Sequence, residues 1–299
     1  MKQKKPNFIV IGAMKAATTS LYTYLKQHPE IFMTKVKEPM FFNNFNQSNN
    51  YTIIGKKSKR PTTLEEYLLM YNDVKNEKAI GEASPAYIYS EKAPALIKEY
   101  FSNVKIIAVL RQPTDRAYSN YLHTKRSDRE NATSFEQAIE LEPKRIQDNW
   151  SPLYHYIEKG YYSIQLKRYY QLFDKENIRI YLFEDIVNKT NETLKDIFGF
   201  LDVDIDVKID VSKKVNVSGN PRGFFGWILK KMRYYNLMPK FAISDYFPKF
   251  IMKLIFNAVY SPSERLDNNL RKRITNKYYK KEIKSLEKLI NRDLKSWLS

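Results

Sequence analysis

Residues 8–28 read FIVIGAMKAATTSLYTYLKQH, and the rest of the chain can be ordered around them. Phe8 to Ile11 is an apolar run of the length of a buried strand. Gly12 closes it and permits a sharp turn. Lys15, Thr18, Thr19 and Ser20 follow, and then a helical pattern places Leu21, Tyr24 and Leu25 on one face. A strand, a tight turn and a helix start make an anion cradle. The first N–H groups of the helix lack partners, and the helix dipole adds positive potential. Lys15 contributes a full charge and the three hydroxyls can donate to oxyanions. The plainer alternative is a buried turn in which Thr and Ser only cap the helix.

The loop does not match the nucleoside-triphosphate motif G-x-x-x-x-G-K-[ST]. Here Lys15 precedes Thr18 by three positions and there is no second glycine. An ordinary ATP or GTP site is not expected.

The chain has 299 residues, enough for one large α/β domain or two small ones. Lys and Arg number 51 against 33 Asp and Glu, a formal charge of +18. Such a field favours polyanionic ligands, nucleic acid or an anionic membrane surface, and does not choose among them. Cysteine is absent, which excludes disulfides, thiol catalysis and thiolate-held metals. His28, His123 and His155 share no metal-ligand spacing, so no metal is expected. No apolar run is long enough to span a bilayer, and MKQKKPNF is too short to be a secretory signal. The expected location is the cytoplasm, with membrane association on its inner face as an open option.

Along the chain, strands are expected at 31–34, 79–82, 104–110 and 178–183. Helices are expected at 64–71, 91–101, 114–125 (capped near Thr114) and 190–201, with a helical region over 134–173. Strands alternating with helices indicate a parallel sheet of about five strands with helices on both faces. Ligands of such sheets lie beyond the carboxyl ends of the strands. Lys15, Glu38, Glu82, Ser84, Arg111 and Glu184 all follow strands, so the candidate chemistry gathers at one edge. Ile283, Leu286, Ile290, Leu294 and Trp297 recur at helical spacing and read as a final helix docked on the core.

Five further stretches carry candidate chemistry. In LRQPTDRAYSNY (110–121), Arg111 offers a bidentate fork and Ser119 a hydroxyl on the following helix, while Arg116 reads as structural. In KVKEPMFF (35–42), Glu38 is the lone carboxylate and a candidate general base; its alternative is an ion pair with Lys35 or Lys37. EASPAY (82–87) holds Glu82, a second base candidate, with Ser84 and Tyr87. Tyr162 in GYY (160–162) and Ser218 and Arg222 in NVSGNPRG (216–223) complete the set.

Taken in order, these stretches resemble sulfotransferases that use 3′-phosphoadenosine 5′-phosphosulfate (PAPS), in particular the heparan sulfate and carbohydrate type. The first loop is similar to K-x-G-T-T-S/T, departing at Ala17, where glycine is common. The second matches R-x-P-x-x-R-x-x-S. The resemblance implies an α/β fold with a P-loop-like central parallel sheet flanked by helices, a core over 7–223 and a helical C-terminal extension over 224–299, all one domain. It implies that Lys15, Ala16, Ala17, Thr18, Thr19 and Ser20 hold the 5′-phosphosulfate. Arg111 and Ser119 would bind the 3′-phosphate, Tyr162 would approach the nucleotide, and Ser218 and Arg222 would lie in a loop closing over it. Glu38 and Lys15 would be catalytic, with Glu82, Ser84 and Tyr87 at the acceptor site. Many bacterial relatives have histidine where this chain has Met40, so a mechanism needing that histidine is excluded.

The expected activity is sulfuryl transfer from PAPS to a hydroxyl or amine of a carbohydrate or glycolipid, leaving 3′,5′-adenosine bisphosphate. The expected partner is a small-molecule or carbohydrate acceptor, not nucleic acid. Two other classes stay open at this point. One is a P-loop-like nucleotide or sugar kinase. The other is a non-catalytic binder of membranes or polyanions, motivated by residues 224–260, where Phe224, Phe225, Trp227, Ile228 and Leu229 adjoin Lys230, Lys231 and Arg233.

Overall fold

β1 (Phe8–Gly12) is buried at all five positions. Its apolar run without alternation is what a strand covered on both faces requires. The computed structural model describes residues 4–45, 60–212, 219–221, 260–262 and 264–299. In these, β1 is followed by α1 (Thr18–Leu25), β2 (Ile31–Met33), a short α2 (Phe41–Asn44), α3 (Leu64–Leu69), β3 (Ala79–Ala83) and α4 (Ala93–Tyr100). Then come β4 (Lys105–Leu110), α5 (Pro113–Arg126), α6 (Phe135–Gln147), α7 (Tyr162–Tyr170), β5 (Ile178–Leu182), α8 (Phe183–Asn188) and α9 (Thr190–Phe200). A two-stranded antiparallel ribbon pairs β6 (Gly219–Pro221) with β7 (Tyr260–Pro262). The chain closes with α10 (Asn268–Ile274), a π-helical turn (Thr275–Tyr279), α11 (Lys280–Ile290) and a 3₁₀ turn (Lys295–Trp297).

The five main strands form one sheet in the order β2-β3-β1-β4-β5, parallel throughout. The chain leaves β1 toward β3 and β2, and leaves β4 toward β5. The crevice between the carboxyl ends of β1 and β4 is therefore the topological switch point, where open α/β sheets bind ligands. The α/β class and five-stranded parallel sheet expected from the sequence are what is found.

Three local expectations change. Gly12 is required by a close approach more than by a turn conformation: a Cβ there would lie 2.4 Å from Ile88 Cγ2. The cap of α5 is Gln112, not Thr114; its side chain accepts from Asp115 N at 2.7 Å, while Thr114 is buried. The final apolar stripe is not one helix. α11 ends at Asn291, whose φ of 50° is left-handed, and Leu294 and Trp297 reach the core from the turn beyond it. The amphipathic stretch 224–260 lies outside the described residues, apart from the edge of β7.

Candidate active site

The Lys15 loop and the start of α1 carry the first half of the site. α1 begins at Thr18 with Ala17 as its cap residue, and no side chain makes a cap hydrogen bond. The hydroxyls of Thr18, Thr19 and Ser20 are thus not spent on capping, contrary to the plainer alternative. No acidic residue occupies the first turn, so the helix dipole is left uncompensated. Ala16 is fully buried and its N–H donates to Ala13 O at 3.2 Å, which folds the loop tightly.

The second half follows β4. Arg111 donates from Nη1 to Lys15 O at 3.3 Å, joining the loops after β1 and β4 across the switch point. Its guanidinium carbon stands 4.7 Å from the centre of the Phe183 ring. Tyr162, fully buried, donates its hydroxyl to Arg111 O at 3.0 Å, so it holds the arginine's backbone. Glu184, after β5, contributes a favourable charge to Arg111. Ser119 lies two turns into α5, half-buried. Arg116, on the same helix, is fully buried and bonds to Tyr156 O, a structural place as expected.

The third part is the loop after β2. Glu38 N donates to Ala83 O at 3.1 Å, which lays the loop over the end of β3. The Glu38 carboxylate pairs with Lys37, while Lys35 pairs with Asp73 at 2.6 Å. Glu82, Ser84 and Tyr87, expected at the acceptor surface, are all fully buried beneath this loop. Ser84 Oγ donates to Glu82 Oε2 at 2.7 Å and accepts from Met40 N at 2.9 Å. Tyr67 donates to Glu82 Oε1 at 3.3 Å, Tyr71 donates to Tyr67 at 2.9 Å, and Tyr87 OH accepts from Phe42 N at 3.4 Å. These three residues brace the Glu38 loop from below. Ser218 and Arg222 lie outside the described residues.

The electrostatics of the pocket are one-sided. Lys15 is pushed down to about 8 by burial and then by the charges of Arg126 and Arg111, with Lys37 adding to them and Glu38 opposing. His123 is held down at about 4 by burial and then by Lys15, Arg126 and Arg129. Glu82 is raised to about 7, first by burial, with Glu38 adding to the effect and its hydrogen bonds opposing. Around Lys15 the charges of Arg126, Arg111 and Lys37 outnumber that of Glu38, which suits a ligand carrying several phosphate or sulfate groups. Arg126 and His123 were missed in the sequence because they sit a full helix beyond Arg111, and only the folded α5 brings them to Lys15. Arg60, whose Nη1 lies against Met40 Sδ, was missed because only tertiary packing brings it to that loop.

Backbone strain marks the same two loops. Among the described residues, eight non-glycine positions have positive φ. Four are Asp or Asn, which tolerate it. The other four are Lys15 (70°), Ala17 (64°), Glu38 (60°) and Met40 (52°). Strain of this kind collects at functional sites.

The fold is an open α/β sheet in which two cationic loops meet at the switch point. The Sulfotransferase domain family model matches residues 5–255, and the chain belongs to that family, whose donor is PAPS. The sulfotransferase from Alicyclobacillus acidocaldarius superposes with a TM-score of 0.77 at 27% identity, covering 99% of this chain and 100% of that one. The membrane-associated sulfotransferase kil1 of Dictyostelium discoideum is 38% identical over 116 residues, 39% of this chain and 22% of that protein. Human carbohydrate sulfotransferase 15 is 24% identical over 253 residues, 66% of this chain and 44% of that protein. Mouse heparan sulfate glucosamine 3-O-sulfotransferase 5 is 26% identical over 182 residues, 60% of this chain and 48% of that protein. The chain thus spans less than half the length of these curated relatives. Among the described residues no helix is long and apolar enough to cross a membrane, and no group of side chains is arranged to hold a metal ion.

Proposed function

We propose that this chain transfers a sulfuryl group from PAPS to a hydroxyl or amine of a carbohydrate or glycolipid acceptor. The observation that carries the proposal is the Arg111–Lys15 bond, which joins two cationic loops at the switch point of the sheet. PAPS, when bound, supplies the activated sulfuryl group and a bisphosphate leaving group. Lys15, the hydroxyls of Thr18, Thr19 and Ser20, and the backbone of Ala16 and Ala17 hold the 5′-phosphosulfate end. Arg111 and Ser119 hold the 3′-phosphate. Lys15 stabilises negative charge that builds on the leaving oxygen, where a preorganised cation is most effective. Glu38 takes the acceptor proton. Glu82 is disfavoured as the base because both its oxygens already accept hydrogen bonds from Ser84 and Tyr67. Carbohydrate acceptors are supported by the names of two relatives, and association with a membrane by the name of a third.

The test is thermal stability with 3′,5′-adenosine bisphosphate, AMP or Mg-ATP. At a hundred times its dissociation constant a ligand stabilises the fold by about 2.7 kcal/mol. A shift with the bisphosphate that is lost in Arg111→Ala is expected. A shift with Mg-ATP alone would instead favour a kinase.

A further inference from the structure

The C-terminal end of the chain converges on the residues that flank Arg111. Gln112, 1% exposed, donates from Nε2 to Thr275 Oγ1 at 2.9 Å and to Trp297 O at 3.2 Å. Thr114 shares a hydrogen bond with the same Thr275 hydroxyl at 2.7 Å. Arg271 donates from Nε to Asp115 Oδ1 at 2.9 Å, and Asp115 is the strongest favourable charge on Arg111. Arg271 also binds Ser299 O, which ties the last residue into the same cluster.

The other support of Arg111 is held by the same unit. Tyr162 OH bonds to Arg111 O, and the next residue, Ser163, donates from N and Oγ to the two carboxylate oxygens of Glu282 at 2.5 and 2.7 Å. Tyr279 OH bonds to Ile157 O at 2.8 Å and packs so closely on Gly160 that a Cβ there would lie 2.6 Å from the ring. Thr275 opens the π-helical turn, and a single π turn inside a helix is a feature often kept for function. The turn aims Thr275 at Gln112 and Thr114 while leaving Tyr279 against residues 157–161, just before α7.

We infer that residues 267–299 form a frame that positions Arg111 for a phosphate at the carboxyl end of β4, with Gln112 and Thr275 as positioning residues. This rests on the reading of Arg111 as the 3′-phosphate ligand. The buried bonds on both sides of Arg111 fix its backbone, so a ligand that bears the 3′-phosphate senses their loss more strongly than one that lacks it.

The test compares affinity for 3′,5′-adenosine bisphosphate with that for AMP by calorimetry on the full chain. Thr275→Val keeps the shape and removes the hydroxyl. It is expected to lose about tenfold of the preference for the bisphosphate, the size of one hydrogen bond, with a much smaller change in AMP affinity. Thr275→Ser is expected to restore the preference. Equal loss for both nucleotides, or no loss in a folded variant, would overturn the frame. If Thr275→Val does not fold, Arg271→Met removes the outer bond to Asp115 and is expected to cost about threefold of the same preference. An unchanged ratio there overturns the inference too. A wild-type protein with no preference for the bisphosphate would refute the reading of Arg111 itself, and is distinguished by appearing before any substitution.

Discussion

The hydroxyl of Ser84 accepts the backbone N–H of Met40 at 2.9 Å. Through this bond the end of β3 holds a loop in which Glu38 and Met40 both have left-handed backbones. Ser84 also donates to Glu82, so one buried hydroxyl serves a carboxylate below and a strained loop above. Ser84→Ala is expected to release the loop and leave an unmet N–H, costing about 1–3 kcal/mol of stability. Turnover should fall at least tenfold while bisphosphate affinity stays constant, since the nucleotide loop is separate. Parallel changes in both would show that Ser84 supports the whole sheet edge and not the Glu38 loop in particular.

Ala17 stands at φ 64° and ψ 14° as the cap residue of α1. Its carbonyl accepts Leu21 N at 3.1 Å, so the conformation cannot relax without unwinding the first turn. Left-handed backbone costs an L-residue about 1–2 kcal/mol, part of which glycine returns as unfolded-state entropy. Ala17→Gly is therefore expected to raise stability by about 0.5–1 kcal/mol in urea unfolding. A destabilised variant would mean that the Cβ packing outweighs the backbone term.

The sheet was legible from the sequence because its strands declare themselves by burial: FIVIG and KIIAVL have no polar alternation to confuse. The gathering of Lys15, Glu38 and Arg111 followed from strand ends alone. What composition could not reveal is depth. Glu82, Ser84 and Tyr87 sit one layer below the surface that their motif suggested, because β3 is an inner strand and α2 covers its end. Nor could periodicity separate α11 from the turn after Asn291, since both present apolar residues at the same spacing. Arg126, His123 and Arg60 are brought to the site by tertiary packing, which leaves no local signal.

The two buried or half-buried carboxylates should respond differently to neutralisation. Glu38→Gln removes the proposed base and is expected to lower turnover by about a hundredfold or more, with bisphosphate affinity kept. Glu82→Gln imitates the protonated form that burial already favours, since Glu82 is raised to about 7 from an ordinary 4.5. The folded protein holds that proton more tightly than the unfolded chain, so Glu82 lowers stability as pH rises from 4.5 to 7. Compared with wild type, Glu82→Gln should flatten this part of the stability profile while turnover stays within a few-fold. Loss of turnover in Glu82→Gln with near-normal Glu38→Gln would exchange the two roles.

Lys15 supplies the last prediction through its pKa, pushed down to about 8 by burial and by Arg126 and Arg111. A bound bisphosphate would set negative charge beside its ammonium and raise that value. Binding above pH 8 must then take up a proton, and affinity should fall as pH rises from 8 toward the bound-state value. Below pH 7 the lysine is charged in both states and this dependence vanishes. Isothermal calorimetry in two buffers of different ionisation enthalpy reads the proton uptake directly. Lys15→Met should bind more weakly and show none of this uptake between pH 8 and 9. Wild type that binds without proton uptake in that window would place the phosphate away from Lys15, and with it the charge stabilisation assigned to that residue.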